Sequence, residues 1–311
     1  METQNQIATQ KQILTPDNFE ELKANAETVF NLLDVSQQTI KDYKYRLPRF
    51  LDFIEKNGFN RMSYLEFKRY LETRNDFSIS SKNHFLITAR IWLRELYKLG
   101  KIPVDITLNI STFSESKKHK KQGLDDEEIE RLTNWLKELP PTAQIARLRA
   151  MFSLFIFEGL RTVEVARLDF EDLDLANNRT LILSKGAKDK EWIKLLPKTV
   201  KHLKEHLNQN NIKAGAIFLC QSNSNKNKRL TTRSIRREIK GVFEKLGISK
   251  DVHSLRHYYI TKLIKAYDGN LLQVAKYTRH NSLDMLMVYN DEISIEQDFP
   301  RLCSVFRGIN F

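Results

Sequence analysis

The sequence has few cysteines, the residues that form disulfides and bind zinc, and it has no long apolar run of the kind that spans a membrane. It has 311 residues but only two cysteines, Cys220 and Cys303, which lie far apart and without metal-like spacing. This excludes a disulfide scaffold and a zinc ribbon. No stretch approaches the roughly 18 uninterrupted apolar residues of a membrane span, and the polar amino terminus lacks the apolar core of a signal peptide. We therefore expect a cytoplasmic protein without a membrane partner.

The motifs of several common enzyme classes are also missing. There is no Walker-type phosphate loop, no G-x-G-x-x-G fingerprint and no G-x-S-x-G nucleophile turn. Histidines and cysteines do not cluster as zinc ligands, and no group of carboxylates suggests a two-metal nuclease. The sequence therefore predicts neither a metal nor any other cofactor. If the chain acts on phosphate esters, cations and a side-chain nucleophile must carry the reaction.

Positive charge is in excess and unevenly distributed. Lys and Arg total 51 against 39 Asp and Glu, a net charge of +12. Residues 1–105 carry 16 basic and 14 acidic side chains, whereas residues 106–311 carry 35 and 25. A basic field of this kind attracts polyanions, and nucleic acid is the first candidate. A basic soluble protein with no polyanionic partner is the alternative interpretation.

The length suggests two domains, and the first is predicted to be helical. Residues 1–15 are expected to form a flexible polar tail. In residues 16–105 apolar side chains recur at helical spacing and strand signals are absent, which predicts a bundle of four or five helices. Ser36 is placed to cap one of them, and Pro48 predicts a kink or break inside the same run.

A polar, basic and aperiodic stretch, residues 106–122, separates this bundle from the rest of the chain. It predicts an exposed linker. Its lysines suit a DNA backbone as well as they suit water: Lys117, Lys118, Lys120 and Lys121.

Residues 123–311 predict a second, mixed domain that ends in a helix. Helices are expected near 124–136, 143–160, 198–210, 231–246, 254–267 and 270–279. The segments 180–183 and 192–196 favour β-strands and flank a basic turn that contains Lys185, Lys188 and Lys190, which predicts a hairpin. The expected fold class is therefore mainly α, with a small β-hairpin or sheet.

Six polar residues of this second domain could act together on a phosphodiester: Arg161, Lys185, His253, Arg256, His280 and Tyr289. Gly-Leu-Arg-x-x-Glu ends the apolar helix, His-x-Leu-Arg-His opens a later one, and a tyrosine follows His280 by nine residues. In this order and context they resemble the polar signature of the tyrosine recombinase, or phage integrase, family. The resemblance extends over about residues 35–290.

Two positions depart from the family pattern. Thr278-Arg279-His280 stands where the family usually has Leu-Gly-His, and Tyr258-Tyr259 follows His257 where the family often has a small hydroxyl residue. Neither change removes a charged catalytic group.

The resemblance implies a site-specific recombinase that cuts and rejoins DNA through a 3′-phosphotyrosine ester. Tyr289 would be the nucleophile. Tyr258, Tyr259 and Tyr277 compete for that role but lack the spacing from His280. Arg161 and Arg256 would offer forked N–H donors to the phosphate oxygens, where negative charge accumulates in the transition state.

The other site residues take supporting roles in this interpretation. Lys185 would protonate the departing 5′ oxygen, with Lys188 and Lys190 as rivals. His253 would move a proton or hold a phosphate oxygen, and His280 would contact the phosphate. Glu164, one turn from Arg161, would orient that arginine. His257 would support the site from behind rather than act as a catalyst.

A cluster of basic residues predicts further DNA contacts, although a solvated basic face is the alternative. It comprises Lys226, Lys228, Arg229, Arg233, Arg236 and Arg237. The helical first domain resembles the SAM-like core-binding domain of the family. Together with the linker lysines, the two domains would clamp double-stranded DNA that carries inverted-repeat core sites, and the protein would be associated with the nucleoid.

Assembly and final activity are less closely defined by the sequence. The resemblance implies a homo-tetramer on DNA, joined through the carboxy-terminal segment 295–311, and it allows for an accessory protein. Docking of this segment within its own chain is the alternative. Two other functions compete with recombination: a DNA-binding protein that has lost catalysis, and a monomeric nicking-closing topoisomerase.

Overall fold

A computed structural model describes residues 16–24, 26–115, 123–184, 186–221, 227–280, 282–289 and 303–304. The chain divides into two units, Met1–Ser116 and Lys117–Phe311, and each has its own apolar core. Helices dominate, and the described residues contain one three-stranded sheet. This confirms the predicted fold class. Among these residues no helix is both long and apolar enough to cross a membrane.

The first unit is built from helices that pack their apolar faces together. They are α1 (Pro16–Ala24), a 3-10 helix (Thr28–Leu32), α2 (Gln37–Arg46), α3 (Pro48–Asn57), α4 (Ser63–Thr73) and α5 (Ile79–Lys98). Ser36 caps α2 as expected, since its Oγ accepts a hydrogen bond from the backbone N of Thr39 at 3.1 Å. Pro48 starts α3 and so breaks the run, because proline fits the first position of a helix but not its interior.

The core of this unit centres on aromatic side chains. Trp92 of α5 is fully buried, and its Nε1 donates a hydrogen bond to the carbonyl of Ala26 at 3.1 Å. Phe50 and Phe67 pack edge to face with ring centroids 4.9 Å apart. Burial of large aromatic rings supplies much of the packing free energy of a small bundle.

Residues 106–115, at the start of the predicted exposed linker, belong to the first unit. Residues 106–115 pack against the first unit, where Ile106 is buried and Phe113 contacts the core. The side chain of Asn83 holds this segment, because its amide donates to the carbonyl of Phe113 at 2.9 Å and its Oδ1 accepts from the Phe113 N–H at 2.8 Å. The sequence predicts a solvated loop here because Thr, Asn and Ser surround these apolar side chains, whereas the contact with Asn83, 30 residues before Phe113, is not visible in the local sequence. The rest of the predicted linker, with Lys117, Lys118, Lys120 and Lys121, lies outside the described residues.

The second unit contains the remaining helices and the sheet. The helices are α6 (Asp126–Glu138), α7 (Ala143–Ile156), α8 (Thr162–Arg167), α9 (Pro197–Gln209), α10 (Thr232–Lys245), α11 (His253–Ala266) and α12 (Leu271–Thr278). Residues 284–289 are also helical. Buried residues of α7 form the centre of the core, and α9 packs along it.

The sheet is an antiparallel ribbon of short strands. β1 (Leu173–Asp174) pairs with β2 (Arg179–Ile182), and β2 pairs with β3 (Glu191–Lys194) in a register that places Leu181 opposite Trp192. The predicted hairpin is β2–β3. The sequence pattern does not predict β1, because a two-residue strand is too short to show alternation.

A buried histidine joins α9 to the segment that follows it. His206 is almost fully buried, and its Nε2 lies 2.7 Å from the carbonyl of Ile217, so this nitrogen carries the proton. The amide of Asn210 donates to its Nδ1 at 2.9 Å. Burial lowers the pKa of His206 to about 4. The neutral imidazole is therefore part of the folded state.

This histidine should make the stability of the protein depend on pH. The unfolded chain takes up a proton near pH 6.5 and the folded chain only near pH 4, so the free energy of unfolding should fall as the pH drops through that window. The loss attributable to His206 should be about 3 kcal/mol. Urea unfolding of the wild type and of His206→Gln at several pH values measures it. An equal pH dependence in both proteins would contradict the assignment, and the exposed His84→Gln serves as control.

Candidate active site

A glycine turn after α7 positions the first candidate arginine. Gly159 has φ +59°, and a Cβ there would lie 2.2 Å from the ring of Tyr259. Any other residue would therefore meet both backbone strain and a collision. The turn ends α7 at Ile156, four residues before the predicted end, and leaves Arg161 as the residue that caps α8.

Arg161 is held by a buried carboxylate from the next turn. The Glu164 Oε1 accepts a hydrogen bond from Arg161 Nη1 at 2.9 Å, and its Oε2 accepts from the Arg161 backbone N at 2.7 Å. Burial opposes the charge of Glu164, but Arg279 and Arg161 outweigh it and hold the pKa of this carboxyl below its usual value. The guanidinium of Arg161 remains about one-quarter exposed, so it can still meet a ligand.

Arg256 of α11 is a buried guanidinium that joins two turns of the chain. Its Nη1 donates to the carbonyl of Gly159, and its Nη2 donates to the carbonyl of Thr278 at 2.6 Å. Burial, followed by the nearby charges of Arg161 and Arg279, lowers its pKa to about 9. The side chain still carries its positive charge at neutral pH.

The end of α12 positions His280 and contains Arg279, one of the departures from the family pattern. Arg279 follows Thr278 in the left-handed backbone conformation, with φ 56° and ψ 46°. Glycine adopts this conformation without strain, whereas here an arginine forms the left-handed turn. His280 comes next, and its Nδ1 lies 2.7 Å from the hydroxyl of Thr278. Burial, with Arg256, Arg161 and Arg279 nearby, lowers the pKa of His280 to about 4, so this imidazole is neutral at physiological pH.

Tyr289 lies buried against α11. Its hydroxyl forms a hydrogen bond with Nδ1 of His257, and burial raises the pKa of the phenol to about 12 while Arg256 acts in the opposite direction. His257 was expected to lie behind the reacting groups, yet it directly contacts the candidate nucleophile. His253 is exposed one turn earlier, with its ring edge against that of His257 at a centroid separation of 4.5 Å.

The structure brings together most of the expected residues that it describes. Contacts and electrostatic interactions connect Arg161, Glu164, Arg256 and His280, and Arg256 also interacts with Tyr289. Lys185 lies outside the described residues. Of its rivals, Lys188 is exposed, whereas Lys190 donates to Asp172 at 2.5 Å, an ion pair that fixes the base of the hairpin.

The competing tyrosines have other partners. The hydroxyl of Tyr258 donates to Asp126 at 3.2 Å, and the ring of Tyr277 stacks on Tyr267 with centroids 5.7 Å apart. Tyr259 packs over Gly159. These contacts hold the three phenols on other partners, whereas the hydroxyl of Tyr289 forms a hydrogen bond with His257.

The predicted DNA-contact residues fall into three groups. Arg233, Arg236 and Arg237 are exposed on α10, and Lys228 is exposed just before it. Arg229 instead bonds within the unit, to the Asp169 carboxylate and to the carbonyl of Ala166. Its predicted phosphate contact therefore competes with a structural ion pair, which a local count of charges could not reveal. Lys226 lies outside the described residues.

Arg279 and Thr278 are the residues that sequence reasoning did not assign to the site. Thr278 contributes its carbonyl to Arg256 and its hydroxyl to His280. Arg279 reaches Glu164. The one signal for them was the departure from the family's glycine at position 279. Within the described part of the chain, no three His, Cys, Asp or Glu side chains are placed to hold a metal ion.

Sequence and structural relatives agree on one family. The phage integrase family model matches residues 122–294. The tyrosine recombinase XerC of Lactobacillus delbrueckii subsp. bulgaricus is 25% identical over 286 residues, which cover 86% of this chain and 94% of that protein. XerC of Shewanella amazonensis is 24% identical, covering 88% and 90%.

A solved structure has the same fold. The XerH site-specific recombinase, in a post-cleavage complex with a palindromic difH substrate, superposes with a TM-score of 0.68 at 20% identity, covering 92% of this chain and 83% of that one. With the family model matching more than half of its length, the chain belongs to the phage integrase family, the tyrosine recombinases, which cleave and rejoin DNA strands.

Proposed function

We propose that this chain carries out site-specific recombination with Tyr289 as its nucleophile and Arg161 and Arg256 as its phosphate-binding residues. One observation carries the proposal. The Glu158–Glu164 turn, the start of α11, the end of α12 and the helical segment 284–289 bring their polar groups into one cluster of hydrogen bonds and electrostatic interactions. A merely structural set of surface ion pairs would not need to converge from four stretches of chain.

The reaction that fits this cluster is a transesterification. The Tyr289 oxygen attacks the phosphorus of a DNA phosphodiester, a P–O bond to the tyrosine forms, and the P–O bond to the 5′ oxygen breaks. The phenol gives up one proton, and the departing 5′ oxygen takes one. The 3′-phosphotyrosine ester keeps the energy of the broken bond, so a 5′ hydroxyl can reverse the step without ATP.

The two arginines stabilise the phosphate in this scheme. The exposed part of the Arg161 guanidinium is held in orientation by Glu164. Arg256 is anchored by two carbonyls and so has little freedom to reorganise during the reaction. Fixed donors aimed at developing negative charge are usually the largest contribution to such catalysis.

Proton transfer is assigned from contacts and from the family resemblance. His257 accepts the proton of Tyr289, because its Nδ1 is hydrogen-bonded to the phenolic oxygen. His253 packs against His257 and acts in proton transfer or on a phosphate oxygen. Neutral His280 positions the phosphate, held by Thr278. Lys185 protonates the 5′ oxygen, a role that rests on the resemblance.

Double-stranded DNA with inverted-repeat core sites is the proposed partner. The XerH structures contain a difH substrate, and λ integrase has been solved as a dimer bound to a core site. In this chain the exposed arginines of α10 supply phosphate contacts, and the first unit acts as the core-binding domain. Assembly as a homo-tetramer through segment 295–311, with or without an accessory protein, completes the proposal.

The nucleophile can be identified by covalent trapping. Incubation with nicked duplexes tiled from the DNA that flanks the gene should give a protein–DNA adduct on denaturing gels, because a nick lets the short fragment that carries the new 5′ hydroxyl diffuse away and prevents religation. Tyr289→Phe should abolish the adduct, since it removes the attacking oxygen. Tyr258→Phe and Tyr277→Phe are the matched controls and should retain it.

Each other outcome of this assay has a definite meaning. An adduct that survives in Tyr289→Phe would reject the nucleophile. Tight binding without any adduct would favour a non-catalytic DNA-binding protein. Adducts together with plasmid relaxation but no strand exchange between two sites would favour a topoisomerase.

If Arg161 contacts the phosphate through its planar guanidinium, a positive charge alone at this position should not sustain the cleavage rate. Arg161→Lys keeps the positive charge but loses the planar fork of donors. The cleavage rate at saturating protein should fall roughly 100- to 1,000-fold, while DNA affinity changes little. Arg167→Lys, an exposed position on the same helix α8, should cleave at the wild-type rate. A cleavage rate for Arg161→Lys within a few-fold of wild type would contradict direct phosphate contact.

The exposed arginines of α10 predict a salt effect on binding. Counterions are released when cations neutralise phosphates, so the slope of log affinity against log salt reports the number of contacts. Arg233→Gln and Arg236→Gln together should lower this slope by roughly 2 and weaken binding at low salt. The exposed Lys137→Gln on α6 is the control. An unchanged slope would show that α10 does not face DNA.

A further inference from the structure

Arg279 is a buried cation to which neither the expected catalytic set nor the mechanism above gives a role. Its side chain is only 8% exposed, and its Nη2 lies 3.3 Å from Oε2 of Glu164. Nη1 donates to the carbonyl of Tyr277 at 3.2 Å. Nε is buried and has no hydrogen-bond partner among the described residues. Burial of a guanidinium is costly unless a negative charge compensates it, and here that charge is Glu164.

The backbone adds to this cost. Arg279 has φ 56° and ψ 46°, a region in which an L side chain crowds its own backbone and which glycine or asparagine enters more easily. The turn therefore does not call for arginine at this position. What the arginine adds is its contact with Glu164, so the reason for it lies in that ion pair.

Glu164 is shared between two guanidiniums. Its Oε1 accepts from Arg161, and its Oε2 accepts from the backbone of Arg161 and from Arg279. If Arg161 were its sole partner, the full negative charge would offset the charge that Arg161 presents to a phosphate. With Arg279 on the other oxygen, the cluster holds three guanidiniums against one carboxylate, and the positive surplus faces the ligand.

We propose that Arg279 is a positioning residue that neutralises Glu164 from behind, so that Glu164 orients Arg161 without cancelling its charge toward the scissile phosphate. This inference rests on the proposed function, because it assumes that Arg161 contacts that phosphate. Arg279 itself is too deeply buried to serve as a DNA contact, so it acts through Glu164 and on the reaction step rather than on binding.

The same arrangement predicts a change in the pH profile. The charged and polar groups around His280 are Arg256, Arg161, Arg279 and Glu164, with Thr278 as hydrogen-bond partner. Arg279 lowers the pKa of both His280 and Glu164. Its removal should raise both values. Protonation of either group would then begin at higher pH, and the acidic limb of the cleavage rate should move upward.

The test compares Arg279→Gly with Arg279→Lys. Glycine removes the cation and relieves the backbone, whereas lysine keeps the cation. Adduct formation on the nicked duplex is followed at saturating protein across the pH range, beside DNA affinity and thermal unfolding. We expect a roughly tenfold slower cleavage for Arg279→Gly at neutral pH, an acidic limb shifted upward, and affinity within about threefold of wild type. Arg279→Lys should recover most of the rate and the wild-type limb.

A double-mutant cycle tests the route through Glu164. In the Glu164→Gln background no carboxylate charge remains to be neutralised, so Arg279→Gly should change the neutral-pH rate by less than about twofold. Equal effects in both backgrounds would overturn this route. A wild-type rate and pH profile in folded Arg279→Gly would overturn the proposal, as would a loss that lysine does not restore. If Arg279→Gly does not fold, Arg279→Asn replaces it, because asparagine tolerates the same backbone conformation.

Failure of the proposed function would look different. Wild type and Tyr289→Phe are run in the same assay, and absence of a wild-type adduct would count against the function and not against Arg279. The effect of Arg279 on Glu164 can then be measured without DNA, by following the titration of the Glu164 carboxyl by NMR. An unchanged titration in Arg279→Gly would overturn the inference on its own.

Discussion

The candidate site depends on a guanidinium that is buried inside the protein. Arg256 donates to the carbonyls of Gly159 and Thr278, and these two bonds hold the turn after α7 and the end of α12 against α11. Arg161 lies in the turn after α7, and His280 lies just after the end of α12. Removing Arg256 would leave two buried carbonyls without their donors and would let both turns move. Structural and chemical roles therefore meet in one side chain.

This construction concentrates positive charge where it is unfavourable for folding. Arg161 and Arg279 lower the pKa of Arg256, all three arginines lower the pKa of His280, and the carboxylate of Glu164 acts on both in the opposite direction. Such repulsion is tolerated because packed turns fix the backbone, and a bound phosphate would relieve it. A site that is electrostatically incomplete without its ligand gains more from binding an anion than a neutral surface does.

Much of this architecture could be predicted from local patterns, and the exceptions have physical causes. Helical periodicity located α9 to α12 within about one residue, because apolar side chains repeat at a regular spacing. The polar composition of residues 106–115 predicts an exposed segment, whereas their packing depends on Ile106, Phe113 and the distant Asn83. The order of Arg161, Arg256, His280 and Tyr289 identified the candidate site, but the contacts of His257 and Arg279 depend on how distant turns pack, which no local signal encodes.

Under the proposed mechanism, burial and the contact with His257 keep Tyr289 inert until DNA arrives. In the free protein burial raises the pKa of its phenol to about 12, and its hydroxyl is engaged by His257. The positive charge of Arg256 opposes that shift only in part. Under the proposed mechanism attack begins only when a phosphate occupies the arginines and the phenol transfers its proton to His257. Activation is then a consequence of substrate binding, which limits the reaction of a buried tyrosine with other electrophiles.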